Sequence, residues 1–395
     1  MKRRIIYLII TLIILTGGII VCAIRWNAWF GNQPESDYVV AEKPHNIILS
    51  FGENAASARN ISWRCDTILQ DSYIVLTTAD KDTSIHRAKS KMIESRNGKA
   101  AFYYVTLQNL EPTTYSYKCI TAGKESPWRN FEIKQHKDTR FLVFGDVQDK
   151  QGQASTEMFH NAFSTYSDID AIAFVGDIIE RPMDSYYQLW FRSMENKQET
   201  TPIIAATGNH EYLKGVVKTL DSRWTSVFKN PLNGPERYLG CTYYIDFPTF
   251  RFIVIDTDAL HLISDYTITH TWVLEKLLEV DDERWKIVMM HHPVYSAGKN
   301  RDNPTIKLTF SHILHNADLV LCGHDHNYMR RGINPVYLLT TSSEKYYEPK
   351  QEVKADVHKA YSRFYEYIEV NDSTLHITTI SVDTDSIFDS FELHK

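Results

Sequence analysis

Hydrophobic and polar positions follow three different rhythms along this chain. From Ile5 to Ile24 no charge interrupts an apolar run that stands behind Lys2, Arg3 and Arg4. At ~1.5 Å rise per residue the run nearly spans a ~30 Å hydrocarbon layer, so it predicts a transmembrane helix. From about Asn46 to Ile133 the pattern becomes short alternating stretches at 47–49, 58–63, 73–77, 100–107, 114–120 and 130–133, separated by turn residues. That spacing predicts an all-β sandwich module. Beyond Arg140, continuous apolar runs at 141–144, 171–175, 202–206, 252–255, 285–289 and 319–321 alternate with helical stretches at 154–166, 185–194, 268–279 and 306–315. Strands that are apolar at successive positions are buried on both sheet faces, which predicts a layered α/β domain. Late strands at 336–340, 364–370, 374–381 and 387–393 would extend its sheets. The expected organisation is a membrane segment over residues 1–25, a polar tether over 26–43, the all-β domain over 44–135 and the α/β domain over 139–395.

The leading positive cluster is expected to stay in the cytoplasm, which exports everything after Arg25 to the periplasm or cell surface. Val21-Cys22-Ala23 offers the alternative of cleavage and secretion, although the apolar run is longer than a usual signal core. Loss of Lys2, Arg3, Arg4 and Arg25 takes the formal charge from −6 to −10 in the exported part. An acidic surface without a Lys/Arg stripe argues against bulk nucleic acid as a partner, so any affinity for phosphate has to be local. Of five cysteines, Cys22 lies in the apolar run, and no CxxC pair occurs. Export permits disulfides, so Cys65 and Cys119, both on expected strands of the β module, are either bridged or two buried thiols.

Five short segments carry the chemistry, in this order: Gly145-Asp146, Gly176-Asp177-Ile178-Ile179-Glu180, Gly208-Asn209-His210-Glu211, Met290-His291-His292-Pro293 and Gly323-His324-Asp325-His326. Four of them follow an apolar run, so each delivers Asp, Asn or His side chains to a strand end. A mixture of carboxylate, amide and imidazole donors without thiolates suits a pair of Zn, Mn or Fe ions and argues against a structural zinc knot. Two cations ~3.5–4 Å apart need a shared anion, which a strand-end carboxylate can supply. Their summed charge makes hydroxide near neutral pH and holds phosphate oxygens. Hydrolysis of a phosphate ester is the expected chemistry. Any one Gly-Asp after a strand is most often a turn, and it is the co-occurrence of all five segments that carries the inference.

Together these segments resemble the metallophosphoesterase (calcineurin-like) superfamily. The β module in front resembles the fibronectin type III-like domain of the purple acid phosphatases. Within it, Leu110-Glu111-Pro112-Thr113-Thr114-Tyr115-Ser116-Tyr117 is similar to the fibronectin corner where a tyrosine bonds back to the preceding connection, with Trp63 in the core. The resemblance runs from about Pro44 to the C-terminus and implies a metallophosphoesterase β-sandwich flanked by helices. It implies that Asp146 holds the first metal and that Asp177 bridges both. It further implies that Asn209, His291 and His324 hold the second metal, that His326 returns to the first, and that His210 protonates the leaving oxygen. Tyr328 and Arg330 match the family's tail after the last histidine, as support for the ligands.

The chain also departs from that pattern. Purple acid phosphatases place a tyrosine three residues after the bridging aspartate, where this sequence has Glu180, so a colourless enzyme is expected. Gln148 stands where the broader superfamily often has a histidine, and its amide either completes the first metal's shell or hydrogen-bonds Asp146. Ser296 to Arg301, shortly after the Met-His segment, holds no histidine to grip phosphate, and Lys299, Asn300 and Arg301 are the candidates to replace it. Loops 211–237 and 258–267 are expected to shape the substrate pocket. The expected function is a membrane-tethered phosphomonoesterase acting on small organic phosphates outside the cytoplasm. The alternatives are a phosphodiesterase or nucleotidase on the same site, and a surface binding protein with a retired catalytic domain.

Overall fold

The computed structural model describes residues 2–395 apart from 37–39, 80, 81, 136 and 333. A helix over Lys2–Phe30 opens the chain, long and apolar enough to cross a membrane, and its apolar window is not buried against the described residues. It runs five residues past Arg25 because Trp26 to Phe30 contain no breaker, and it stops at Gly31.

The rest is built on a ten-stranded sheet. Its order is Ser386–His394, Thr374–Ser381, Phe364–Val370, Thr139–Phe144, Ala171–Phe174, Ile203–Ala205, His45–Phe51, Arg59–Arg64, Gly98–Leu107 and Lys89–Ser95. The strands at 139–144, 171–174 and 203–205 run parallel, as their uninterrupted burial requires. Parallel pairing of Ser50 with Ile203 joins the β module to this sheet, so one sheet runs through both regions. A seven-stranded sheet faces the α/β half, with Phe250–Ile255, Trp285–Met290 and Leu319–Cys322 as parallel neighbours. Phe141, Val143, Phe252, Ile287, Met289 and Leu321 fill the space between the two sheets. Helices cover the outer faces, Gln153–Thr165 and Asp184–Ser193 on one side, Ile263–Leu278 and Pro304–Phe310 on the other.

In the β module the large sheet packs on Ser72–Thr78, Thr114–Thr121 and their neighbours, with Trp63, Tyr103 and Tyr117 between them. The corner forms as the resemblance implies: the Tyr115 hydroxyl accepts from Glu111 N at 2.9 Å and donates to Glu111 O at 3.1 Å. Cys65 and Cys119 are both buried free thiols. Thr83–Arg87 and Lys89–Ser95 are among the strands that escape the apolar pattern, because both lie at sheet edges and carry polar residues at most positions. Helix Ile263–Leu278 begins five residues before the expected stretch, because the Asp265 carboxylate caps it by accepting from His261 N and Leu262 N.

The polar segment after the first helix is held to the folded body by charge. Glu35 is buried and pairs with Arg223 at 2.5 Å. Arg223, only 1% exposed, also binds Asp221 at 2.8 Å and lends its guanidinium to Pro182 O. A second Glu35 bond comes from the Asp184 backbone N–H, and Asp184 in turn pairs with buried Arg64. Breaking one side of a buried pair leaves an uncompensated charge, at about 3–5 kcal/mol. Because Asp221 would still serve Arg223, Glu35→Ala is expected to cost about 2–3 kcal/mol. Denaturation of the detergent-solubilised full chain measures it, and an unchanged midpoint would show that the segment is not anchored in this way.

Candidate metal centre

The C-terminal ends of five parallel strands, three in the large sheet and two in the facing one, open onto the same edge of the sandwich. Asp146 follows Thr139–Phe144, Asp177 follows Ala171–Phe174, and Asn209 follows Ile203–Ala205. His291 and His324 follow Trp285–Met290 and Leu319–Cys322. The chain turns back sharply after these strands, and Asp146, Asp177, His324 and His326 all adopt positive φ, at 51°, 50°, 76° and 51°. Non-glycine residues in that region cost ~1–3 kcal/mol each and persist where the surroundings enforce them. Gly176 has φ 90°, and a Cβ there would lie 2.7 Å from His291 Nδ1. A Cβ on Gly208 would lie 2.3 Å from Asp177 Oδ1. The glycines of these motifs let neighbouring loops close to ligand distance.

Two buried acids hold the loops in that shape. Glu211 Oε2 accepts from Asp177 N at 3.0 Å and Gly208 N at 2.6 Å, while Oε1 accepts from Ile178 N at 2.8 Å and Ile179 N at 3.2 Å. Burial and the Asp177 charge push the Glu211 carboxyl well above the usual range, and the backbone N–H donors oppose that shift by favouring the carboxylate. Asp325 Oδ2 accepts from Ser296 Oγ, Ala297 N and Gly298 N at 2.7, 2.7 and 3.0 Å. Sequence reasoning quoted both residues inside the motifs and gave neither a role.

The remaining side chains converge. Ligand atoms of Asp146, Asp177 and His291 lie within 4.8 Å of one another, all buried. Asp177 Oδ2 is 3.3 Å from His291 Nε2, and Asn209 Oδ1 is 2.9 Å from His324 Nδ1 and 3.4 Å from His291 Nε2. His291 Nε2 and His324 Nδ1 are 3.2 Å apart. On the other flank, His326 Nε2 lies 3.6 Å from Asp146 Oδ1 and 2.9 Å from the Gln148 amide nitrogen. Gln148 therefore binds His326 and not Asp146, and its buried Oε1 has no hydrogen-bond partner. Backbone carbonyls fix two of the rings: His291 Nδ1–H donates to Val175 O at 3.0 Å, and His326 Nδ1–H donates to Lys345 O. Nε2 of each ring thus faces the cluster. Oxygen and nitrogen acceptors crowded together around an orphaned amide oxygen, with no thiolate, fit a pair of borderline metal ions.

Burial and mutual charge shift the titration of the clustered groups in opposite directions. Burial and the neighbouring Asp177 charge push the Asp146 carboxyl up to about 7, against the opposing pull of His291. For Asp177, burial is outweighed by the His291 and His210 imidazoles, which hold it well below the usual carboxylate range. Burial would lower His291, yet the Asp177 and Asp146 carboxylates push it up to about 10. Burial lowers His326 to about 3, leaving a neutral imidazole. The protons on Asp146 and His291 occupy the place that cations would take.

His210 stands at the mouth. Its backbone N donates to Asp177 Oδ1 at 2.8 Å, its Nδ1–H donates to Glu180 O at 2.5 Å, and Nε2 is 4.0 Å from Asp177 Oδ2. With Asn209 it lines a cleft of about 370 Å³ shared with Lys150, Arg181, Lys214, Lys218 and Lys345. The phosphate grip expected from Lys299 and Arg301 does not form. Lys299 pairs with Glu348 at 2.9 Å, and Arg301 is drawn to Asp325 at 3.3 Å and to His324 O at 2.6 Å. Loop 211–237 does reach the cleft through Tyr212, Lys214 and Lys218, while Asp258, Leu260 and His261 line the adjoining one. Tyr328 and Arg330 both bind Asp389, at 2.8 and 2.7 Å, and so tie the facing sheet to the last strand. His292 packs beside His324 and meets Thr257 Oγ1 at 3.0 Å. Cys322 is buried in the core behind the site.

Residues 139–328 match the calcineurin-like phosphoesterase family, and residues 44–133 match the purple acid phosphatase N-terminal domain. Two uncharacterised proteins from Mycobacterium tuberculosis strains are 24% identical over 328 residues, covering 71% of this chain and 61% of theirs. The chain thus spans about three fifths of the length of these curated relatives. Purple acid phosphatase 4 of Arabidopsis thaliana is 25% identical over 227 residues, covering 51% of this chain and 66% of its own. Among solved structures, a purple acid phosphatase from yellow lupin seeds superposes with a TM-score of 0.75 at 17% identity, covering 90% of this chain and 75% of that one. PhoD superposes with a TM-score of 0.60 at 11% identity, covering 91% and 92%. Behind an N-terminal domain of the purple acid phosphatase type, residues 139–328 of this chain form a calcineurin-like phosphoesterase domain.

Proposed function

We propose that this chain is a dinuclear-metal phosphomonoester hydrolase, exported across a membrane and held there by its first helix. The observation that carries the proposal is the convergence of Asp146, Asn209, His291, His324 and His326 around Asp177, with His210 on the open side. Asp146, His326 and Gln148 would hold the first ion, Asn209, His291 and His324 the second, and Asp177 would bridge them. Bound there, Fe, Mn or Zn ions would polarise the phosphoryl oxygens and make water acidic enough to attack phosphorus near neutral pH.

The chain's own groups do the rest. Glu211 fixes the Asp177 and Asn209 loops relative to each other, so the bridging carboxylate needs no rearrangement. With Nδ1–H committed to the Glu180 carbonyl, His210 Nε2 is the atom left to deliver a proton to the leaving oxygen. The cationic rim of Lys150, Arg181, Lys214 and Lys345 would draw an anionic ester into the cleft of an otherwise acidic protein.

Three measurements test this. Asp177→Ala should abolish both bound metal and hydrolysis of nitrophenyl phosphate, whereas His210→Ala should keep its metal and lose ~10²–10⁴-fold in kcat. Full metal retention by Asp177→Ala would remove the bridge from the account. At pH 6.5 Asp146, raised to about 7, is mostly protonated and His291, raised to about 10, fully so. Ions bind the deprotonated forms, so loading the stripped protein should release about two protons and tighten as pH rises. Calorimetry in buffers of different ionisation enthalpy reads this, and buffer-independent heats would contradict it. Because Glu180 stands where the family has its tyrosine, protein purified with its native metals should lack a visible charge-transfer band. A purple solution would overturn the ligand assignment.

A further inference from the structure

The segment that leaves the apolar helix ends up on the rim of the catalytic cleft. Gly31, Asn32 and Gln33 line that cleft together with Asn209 and His210. Asn32 makes a two-way pair with the Lys214 backbone, donating to Lys214 O at 2.8 Å and accepting from Lys214 N at 2.9 Å. Arg96 binds Gln33 O and Pro182 O, and buried Glu35 locks the next turn of chain to Arg223. Asn32 is two residues beyond Phe30, and extended chain covers at most ~3.6 Å per residue. The helix end therefore lies within about 7 Å of the Asn32 backbone, whose side chain holds Lys214.

The membrane depth of this junction follows from the sequence. The uncharged run ends at Ile24, and six helical residues at ~1.5 Å each carry the chain about 9 Å further, to Phe30. Arg25, Trp26 and Trp29 fall in that interval, the residue types that settle at the membrane–water boundary. Phe30 thus sits at headgroup height, and so does the hairpin pinned to Asn32. That hairpin joins Tyr212–Leu213 to Thr219–Leu220. Its tip is Lys214-Gly215-Val216-Val217-Lys218, with Val216 76% and Val217 63% exposed. Two bare valines flanked by lysines, beside a helix that enters the bilayer, have the make-up of an interfacial insertion: apolar groups for the acyl boundary and cations for anionic headgroups.

We infer that the catalytic cleft opens onto the surface of the membrane that holds the helix, with the Lys214–Lys218 tip seated in its headgroup layer, and that the substrate is a lipid bearing a phosphate monoester. This names the substrate class of the site proposed above and rests on phosphoester hydrolysis there and on a retained helix. Lys214 and Lys345 on the cleft wall would meet the headgroup phosphate as it rises toward His210, while Lys218 is held by Asp258 at 3.2 Å.

The full chain, reconstituted into phosphatidylcholine vesicles containing phosphatidic acid, provides the test, with soluble nitrophenyl phosphate assayed in parallel. Replacing Val216→Ser and Val217→Ser together should lower turnover of phosphatidic acid at least fivefold and leave nitrophenyl phosphate turnover unchanged. A spin label at Val216→Cys, in a Cys22→Ser background, should be more accessible to oxygen than to a water-soluble nickel complex. The same label at Ile387→Cys, exposed on the last strand, should show the reverse. A nickel-accessible label at 216, equal losses on both substrates or no loss on either would overturn the membrane-facing cleft. Hydrolysis of nitrophenyl phosphate but not of phosphatidic acid by the unmodified protein would remove the lipid substrate and leave the hydrolase standing. Failure on both substrates would remove the hydrolase, and the substrate assignment with it.

Discussion

Four backbone N–H groups meet on the carboxylate of Glu211, and the shape of the metal-binding edge depends on that meeting. Asp177 and Asn209 leave adjacent strands on separate loops, each turned back sharply, and nothing in the strands themselves fixes the distance between them. A buried carboxylate that satisfies Asp177, Ile178, Ile179 and Gly208 at once removes that freedom. The same loops carry left-handed residues and close backbone approaches, which are tolerable only where the surroundings impose them. Buried carboxylates and imidazoles whose titration is shifted far from the usual values are collected at this edge, and that is the sense in which their burial points to function.

Much of this was legible in the sequence, for physical reasons that can be named. Parallel strands buried on both faces leave uninterrupted apolar runs, so 141–144, 171–175 and 285–289 were easy to see, and the polar residue after each run marks a strand end. The convergence of Asp146, Asp177, Asn209, His291, His324 and His326 follows from the order of those ends. The role of Glu211 was not legible, because a side chain that binds backbone over 30 residues away leaves no periodic trace. Nor was the pairing of Glu35 with Arg223, which are 188 positions apart. Lys299 and Arg301 looked free to grip phosphate, yet each had a nearer acid, and only coordinates reveal such commitments. The edge strands 83–87 and 89–95 were hidden by exposure, since strands that bury at most one residue show no alternation.

The joins between regions matter as much as the site. One sheet runs from the C-terminal strand through the catalytic half and into the β module, with Ser50 and Ile203 as the seam. The chain between helix and body is fastened by Asn32, Gln33 and Glu35, so an anchored enzyme of this form would present a defined face to its membrane. Charge is distributed accordingly: the chain beyond Arg25 is acidic overall, while cations gather at the cleft beside the helix exit.

The central claim is a pair of ions bridged by one carboxylate. Anomalous diffraction from crystals of natively purified protein, collected at the Fe, Mn and Zn edges, tests it most directly. The account predicts two peaks ~3.5–4 Å apart with Asp177 between them, Asp146 and His326 on one and Asn209, His291 and His324 on the other. A single ion, or a pair bound away from Asp177, would contradict it.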